Sequence, residues 1–282
     1  MSATAGRRLT RVLRAPVTAA GTILVAAYLM LGAGGPWTAP YDPDAQDLGA
    51  ALQPPSPRHW LGTDDLGRDL ASRVIVAARV DLAVVVLGLA VAVGTALPVG
   101  LVAGYAGGTA DRALMGLSDA ALTFPSLVLA VVLVSLVGAG LRSVVLALGL
   151  TTAPALARLI RSLVLTAARA EYVEAARALG AGAPRMIWRH ILPNIAGRVA
   201  VYMTLAGSYA VLTITALGFL GLGVQPPTAE WGNMLATTRT YLATAPWLIA
   251  APGAAIVVFI FAVNAVGEAL RDLFDPRLVW GP

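Results

Sequence analysis

The chain contains no cysteine and no lysine. Without cysteine there is no disulfide, no thiolate metal site and no cysteine nucleophile. Without lysine there is no Walker A phosphate loop, which excludes ATP hydrolysis by that route, and no Schiff-base chemistry. Two histidines occur, His59 and His190, far apart in sequence, which argues against a histidine-rich metal site. Charge is scarce as well. Charged residues make up 12% of the chain, against about 25% in an ordinary soluble domain.

What fills the 282 residues is apolar: 58% are hydrophobic and the mean hydropathy is +0.77. These residues gather in runs near or above the roughly 20 residues that cross a bilayer as a helix. The runs are apolar all round, whereas a large soluble helical domain needs polar faces. This patterning reads as an all-α membrane protein with about six transmembrane helices. A pI of 10.1 raises the question of nucleic acid. The basic residues, all arginine, are instead spread over the flanks of the apolar runs with no aromatic platform among them. Orienting the chain in a membrane accounts for them, with lipid and not nucleic acid as the partner.

Residues 1–15 form a basic tail with Arg7, Arg8, Arg11 and Arg14. Residues 16–35 read as a first transmembrane helix. The alternative is a cleaved secretory signal, but the run is long for one and Gly-Ala-Gly-Gly-Pro is not a clear cleavage site. Residues 36–79 form a polar loop whose Pro and Asp residues break helices at its start. Residues 64–78 read as a short amphipathic helix leading into the membrane. A core at 80–268 holds five further spans, at about 81–105, 113–137, 144–163, 195–220 and 246–266, with a polar insert at 166–194. Residues 269–282 are a polar tail. Six spans put both termini on one side. With that side cytoplasmic, fourteen of the 20 arginines lie inside, as the positive-inside rule requires. The 36–79 loop is then extracytoplasmic.

The insert contains "EYVEAARALGAGAPRMIWRHILPN", Glu171 to Asn194. Tyr172, Ala175, Ala176 and Leu179 recur at i, i+3, i+4 and i+7, one face of an amphipathic helix. Glu171, Glu174 and Arg177 form the opposite stripe, with Glu174 able to pair with Arg177 across one turn. Gly180 ends the helix. A second short helix starts with Pro184 at a tolerated early position and ends at Pro193. An interfacial helix lying among lipid headgroups would fit the arginines. The small Ala175–Ala176 pair favours close approach of another surface, in the helix-in-groove mode.

Other polar positions stand out. Asp119, beside Ser118, is an acid near the start of the third span. Such acids are functional-site candidates, although a helix cap at the interface is the plainer role. Asn264 in the sixth span reads as hydrogen-bonding glue between helices before substrate contact. Pro154 kinks the fourth span. Tyr105, Trp231, Tyr241 and Trp247 read as interfacial anchors, and His59 and Trp60 as surface features. The stretch "GLGVQPPTAEW" is either a re-entrant loop or an ordinary outer turn.

Glu174-Ala175-Ala176, then Gly180, then Leu192-Pro193 resembles the EAA motif of permease subunits of bacterial ABC importers. His190 departs from it, standing where the general pattern has Ile. The blocks "APYDPDAQDL", "HWLGTDDLGRDLASR", "FPSLVLA", "GFLGLGVQPPTAEWGNML" and "LRDLFDPRL" extend the likeness over nearly the whole chain. They resemble dipeptide/oligopeptide/nickel importer permeases, the second or C-type member of the pair. Asp81 and Glu268 depart, at places where Ser and Asp are expected. The resemblance implies a type I ABC importer permease fold in a bacterial cytoplasmic membrane. It implies a homologous second permease, two cytoplasmic ATPases that bind ATP and Mg, and an extracytoplasmic solute-binding protein. It implies no cofactor in this chain and no catalysis by it. Tyr172, Glu174, Ala175, Ala176, Arg177, Leu179, Gly180, Leu192 and Pro193 would form the coupling helix region that meets an ATPase. Di- or oligopeptides are the implied cargo, with nickel chelates or glutathione-like peptides as alternatives. A self-sufficient secondary transporter would favour inverted repeats and mid-membrane ionisable groups, of which Asp119 is nearly the only example. A membrane enzyme would need a nucleophile–base or metal constellation.

Overall fold

A computed structural model describes residues 16–274. The basic tail 1–15 and residues 275–282, with Arg277, lie outside the described residues. Among the described residues the fold is helical, with one isolated bridge between Thr63 and Asp69. The helices are α1 Pro16–Thr38, α2 Leu70–Ala106, α3 Gly108–Leu122, α4 Ser126–Val137 and α5 Leu141–Ala167. They continue with α6 Glu171–Ala178, α7 Leu192–Phe219, α8 Trp231–Thr238 and α9 Trp247–Phe274. Five helices are long and apolar enough to cross a membrane, and a sixth span requires counting α3 and α4 together.

That pair corrects the expected straight third span. α3 and α4 meet at 92°. Pro125 supplies no N–H and disfavours helical backbone at Phe124. The Thr123 hydroxyl closes α3 instead, donating to the Ala120 carbonyl at 2.7 Å.

The expected amphipathic helix at 64–78 also fails in its first half. Asp64 Oδ1 accepts from the backbone N–H of Leu66 at 3.0 Å and of Arg68 at 2.9 Å. Such local bonds compete with helix. The helix begins at Leu70, capped by Asp69, whose Oδ2 accepts from Ser72 N at 2.8 Å and Ser72 Oγ at 2.7 Å. From there α2 runs unbroken through the expected second span.

α2 and α5 form the central pair and run parallel, Gly88 facing Leu148, Gly100 facing Ile160 and Gly104 facing Val164. The α2 face is small at every fourth residue: Gly88, Ala92, Ala96, Gly100, Gly104. Lipid tails are as apolar as leucine, so membrane helices associate by close backbone packing, which small residues allow. α1 packs against α2 and α9. Its Tyr28 donates to the Ala255 carbonyl at 2.7 Å, so the first helix is an integral part of the bundle.

Between α7 and α9 the chain turns back into the bundle, and α8 packs against both. Trp231 is 1% exposed. Its ring meets Tyr28 and Phe259 edge-on at centroid distances of 5.9 and 6.0 Å, and its Nε1 donates to the Val74 carbonyl at 3.1 Å. The expected interfacial anchor is thus a core residue, because the start of α8 packs into the bundle against α1, α2 and α9. His59 is likewise buried, with Nδ1 2.9 Å from Asp69 Oδ1, and is not a surface feature. Trp60 is exposed.

Candidate functional site

The Glu171–Asn194 insert leaves the bundle from α5 and returns through α7. Helix α6 carries Glu171 and Glu174 in its first turn and Arg177 in its last, the arrangement the helix dipole favours. One side chain fastens it: Val173 is fully buried, as are Met186 and Ile191 in the returning helical turns of the insert, against which α6 packs. The apolar face read from the sequence points elsewhere. Leu179 is 89% exposed, Tyr172 and Ala175 are exposed, and Ala176 is half-buried. The apolar stripe of α6 is therefore left uncovered.

Gly180 makes the bend at φ +79°. Its N–H reaches the Arg177 carbonyl at 2.9 Å and the Ala181 N–H reaches Ala176 at 3.1 Å, closing the helix end as a left-handed glycine does. The expected Glu174–Arg177 ion pair does not form. Both side chains are exposed.

Pro193 does not end the second short helix, which corrects the sequence reading. One turn at Ala183–Arg185 passes into a π-helix, Met186–Ile191, and directly into α7. A proline ring collides with the carbonyl four residues back in a regular helix, and widening the preceding turn relieves that collision. The Leu192 N–H then bonds to the Ile187 carbonyl, five residues back, and Asn194 Nδ2 donates to the His190 carbonyl at 2.6 Å. The insert is therefore rigidly continuous with α7. Ile191 and Ile195 share one buried cluster with Ala157, Ile160 and Val164 of α5.

Asp119 lies in the last turn of α3, not near a helix start, and pairs with Arg158 of α5. Both side chains are more than half exposed, at 58% and 54%. Asp111 of α3 meets Arg161 through two hydrogen bonds. An exposed pair such as Asp119–Arg158 contributes little, so Asp119→Asn is expected to change unfolding free energy by under about 1 kcal/mol, read by denaturant titration in detergent. Asn264 Oδ1 accepts from Ser208 Oγ at 2.9 Å across α7 and α9, the interhelical glue expected. Asp119 and Asn264 thus have separate partners on separate helix pairs.

At the opposite end of the bundle, sequence reasoning missed Glu230, which is 0% exposed. It caps α8 by accepting the N–H groups of Gly232 at 2.6 Å and Asn233 at 2.8 Å. Gly218, Gly223 and Gly232 close around its carboxyl, leaving no room there for a Cβ on Gly218. The many glycines of "GFLGLG…EWG" carried that signal.

A family described as binding-protein-dependent transport system inner membrane component matches residues 96–280. A second, the N-terminal TM domain of oligopeptide transport permease C, matches residues 7–55. The di/tripeptide transport system permease protein DppC of Pseudomonas aeruginosa (strain UCBPP-PA14) is 43% identical over 86% of this chain and 82% of its own length. The nickel transport system permease protein NikC of Escherichia coli (strain K12) is 40% identical over 91% of this chain and 93% of its own. A chain of the inward-facing MetNI methionine ABC transporter superposes with a TM-score of 0.57 at 20% identity, over 71% of this chain and 96% of that one. That last likeness concerns the fold, an ABC importer permease fold. With a family match across most of the bundle and relatives at this identity along nearly the whole length, the chain belongs to the inner-membrane permease components of binding-protein-dependent transport systems.

Proposed function

We propose that this chain is one permease subunit of an ATP-driven importer of di- or oligopeptides. It forms half of the translocation pathway beside a homologous second permease. Two cytoplasmic ATPases supply the energy and bind ATP and Mg, and an extracytoplasmic solute-binding protein delivers the cargo. Both termini and the Glu171–Asn194 insert face the cytoplasm, and the 36–79 loop faces outward. The observation that carries this reading is the uncovered apolar face of α6 on an insert continuous with α7.

In this mechanism α6 sits in a groove of one ATPase. Tyr172, Ala175, Ala176 and Leu179 make the contact, Glu174 and Arg177 flank it, and Gly180 sets the angle of the exit. Leu192 and Pro193 join the insert to the membrane helix. ATP binding draws the ATPases together, and α6 moves with its groove. The π segment and the shared α5–α7 cluster pass that movement to the bundle, shifting the population between inward-open and outward-open states. Peptide cargo follows from the DppC relative and from the oligopeptide permease match at residues 7–55. Nickel chelates are a second reading, favoured by the NikC relative at 40% identity.

Co-purification from cells expressing the whole transport system tests the docking role. Wild type is expected to bring down the ATPases and the second permease, and Ala176→Glu to keep the permease and lose the ATPases. Retention of the ATPases by Ala176→Glu, or proton-driven uptake by the chain alone, would overturn the proposal. Titration of the delivering protein with dipeptides and with nickel separates the two cargoes.

A further inference from the structure

The stretch between α7 and α8 brings a second acid, Glu230, near Asp81. Asp81 sits on α2 and is 1% exposed; Glu230 is fully buried. Asp81 Oδ2 accepts the Trp231 backbone N–H at 3.2 Å, so its carboxyl meets the start of α8 at the residue next to Glu230. Asp81 Oδ1 is buried with no partner. Among the described residues no basic side chain pairs with either acid.

Two carboxylates held this near each other, buried and without a paired cation, do not both ionise. Repulsion and lost hydration each oppose the second charge. One proton answers both. Donated from Asp81 to Glu230, it removes the orphaned acceptor. The remaining negative charge then faces the N–H groups at the start of α8, where the helix dipole favours it. Burial pushes the Glu230 carboxyl above the usual carboxylate range, and the Gly232 and Asn233 N–H groups pull it part of the way back.

The site has a polar approach. A cavity of about 30 Å³ is lined by Glu230 together with Asp64, Arg68 and Arg73, enough for a water molecule. Those three charged residues are already engaged, Arg68 Nε with Asp64 at 2.7 Å and Arg73 Nη1 with Asp44 at 3.0 Å. The other elements packed here present no ionisable group to the pair. α8 has none, α9 has none before Glu268, and α7 has none after Tyr209. On α1, the Tyr28 hydroxyl is occupied with Ala255. On α2 itself the further charged side chains are Arg73 and Arg79.

We propose that Asp81 and Glu230 hold one proton between them, and that this carboxyl pair fastens the 220–238 segment onto α2, seated while the proton is held and loosened when it leaves. The device concerns the end of the bundle away from α6 and stands independently of the cargo.

The purified chain in lipid nanodiscs tests it. Infrared spectra of wild type at neutral pH are expected to show the C=O stretch of a buried protonated carboxyl, lost in Asp81→Asn and in Glu230→Gln. The folded chain keeps a proton that the unfolded chain releases above about pH 4. Stability is therefore expected to fall as pH rises from there until the pair deprotonates, by up to about tenfold per pH unit in the unfolding equilibrium constant. Asp81→Asn is expected to flatten that slope. The chain has no native cysteine, so seating can be read by thiol labelling of Met234→Cys on buried α8 relative to exposed Thr228→Cys. That ratio is expected to rise with pH, and to stay flat with Asp81→Asn added. A wild type without the carboxyl band, or a pH slope unchanged by Asp81→Asn, would overturn the shared proton. A labelling ratio indifferent to pH in wild type would overturn the fastening.

Discussion

Gly180→Asp is expected to abolish ATP-driven uptake while the protein still inserts in near-normal amount. The reason lies in how little the substitution costs the fold. A Cβ at Gly180 meets nothing within 4 Å. The left-handed backbone at φ +79° costs an L-residue roughly 1–2 kcal/mol, and Asp is among the residues that tolerate it best. A carboxylate at the end of α6 opposes the helix dipole by about 0.3–1 kcal/mol. These are local penalties at an exposed bend. What the carboxylate does change is the surface beside Leu179, placing a charge that a close-packed partner would have to desolvate. Gly180→Asn separates the two effects, since it keeps the backbone tolerance without the charge and is expected to retain much of the uptake. Normal transport by well-expressed Gly180→Asp would remove the docking role.

Gly100→Leu is expected to destabilise the bundle strongly. A Cβ at Gly100 would stand 2.6 Å from Ile160 Cβ and 2.7 Å from the Ala157 carbonyl. The carbonyl belongs to helix backbone and cannot rotate away, so α2 and α5 must separate. Overpacking costs typically 1–3 kcal/mol. With three further carbons beyond Cβ at a backbone contact, about 3 kcal/mol or more is expected in denaturant unfolding in detergent. Gly94→Leu is the control on the same helix. Nothing lies within 4 Å of Gly94, and an effect within about 0.5 kcal/mol is expected. Equal losses at the two positions would mean that helix contact does not set the stability of this pair.

The two sites differ in how far they could be read beforehand. On α6 the spacing of Tyr172, Ala175, Ala176 and Leu179 gave the helix, its apolar stripe and its end at Gly180, because all three are local properties of eight residues. Spacing did not say whether that stripe faced inward or outward. Val173, off the stripe, takes the buried position, and the stripe is left free. Pro193 misled for a related reason. Proline stops a regular helix, but a π turn and the Asn194 side chain absorb it. Trp231 and His59 misled because aromatic and polar residues at the ends of apolar runs usually face headgroups or water. Here the 220–238 segment and the 40–69 loop fold back over them.

Sequence alone determined the class of this protein: apolar runs long enough to span a bilayer leave few alternatives to helices, and the missing lysine and cysteine removed whole chemistries. It also placed the polar insert and the residues of its helix, since helical periodicity is short-range. Tertiary structure decided what depends on partners distant in the chain. It bent the third span at right angles, set the glycine stripe of α2 against α5, and left the α6 face bare. It also brought Asp81 and Glu230, 149 positions apart on the chain, into one buried site. Such pairings follow from how helices pack, and packing is fixed by three-dimensional contact that no local pattern encodes.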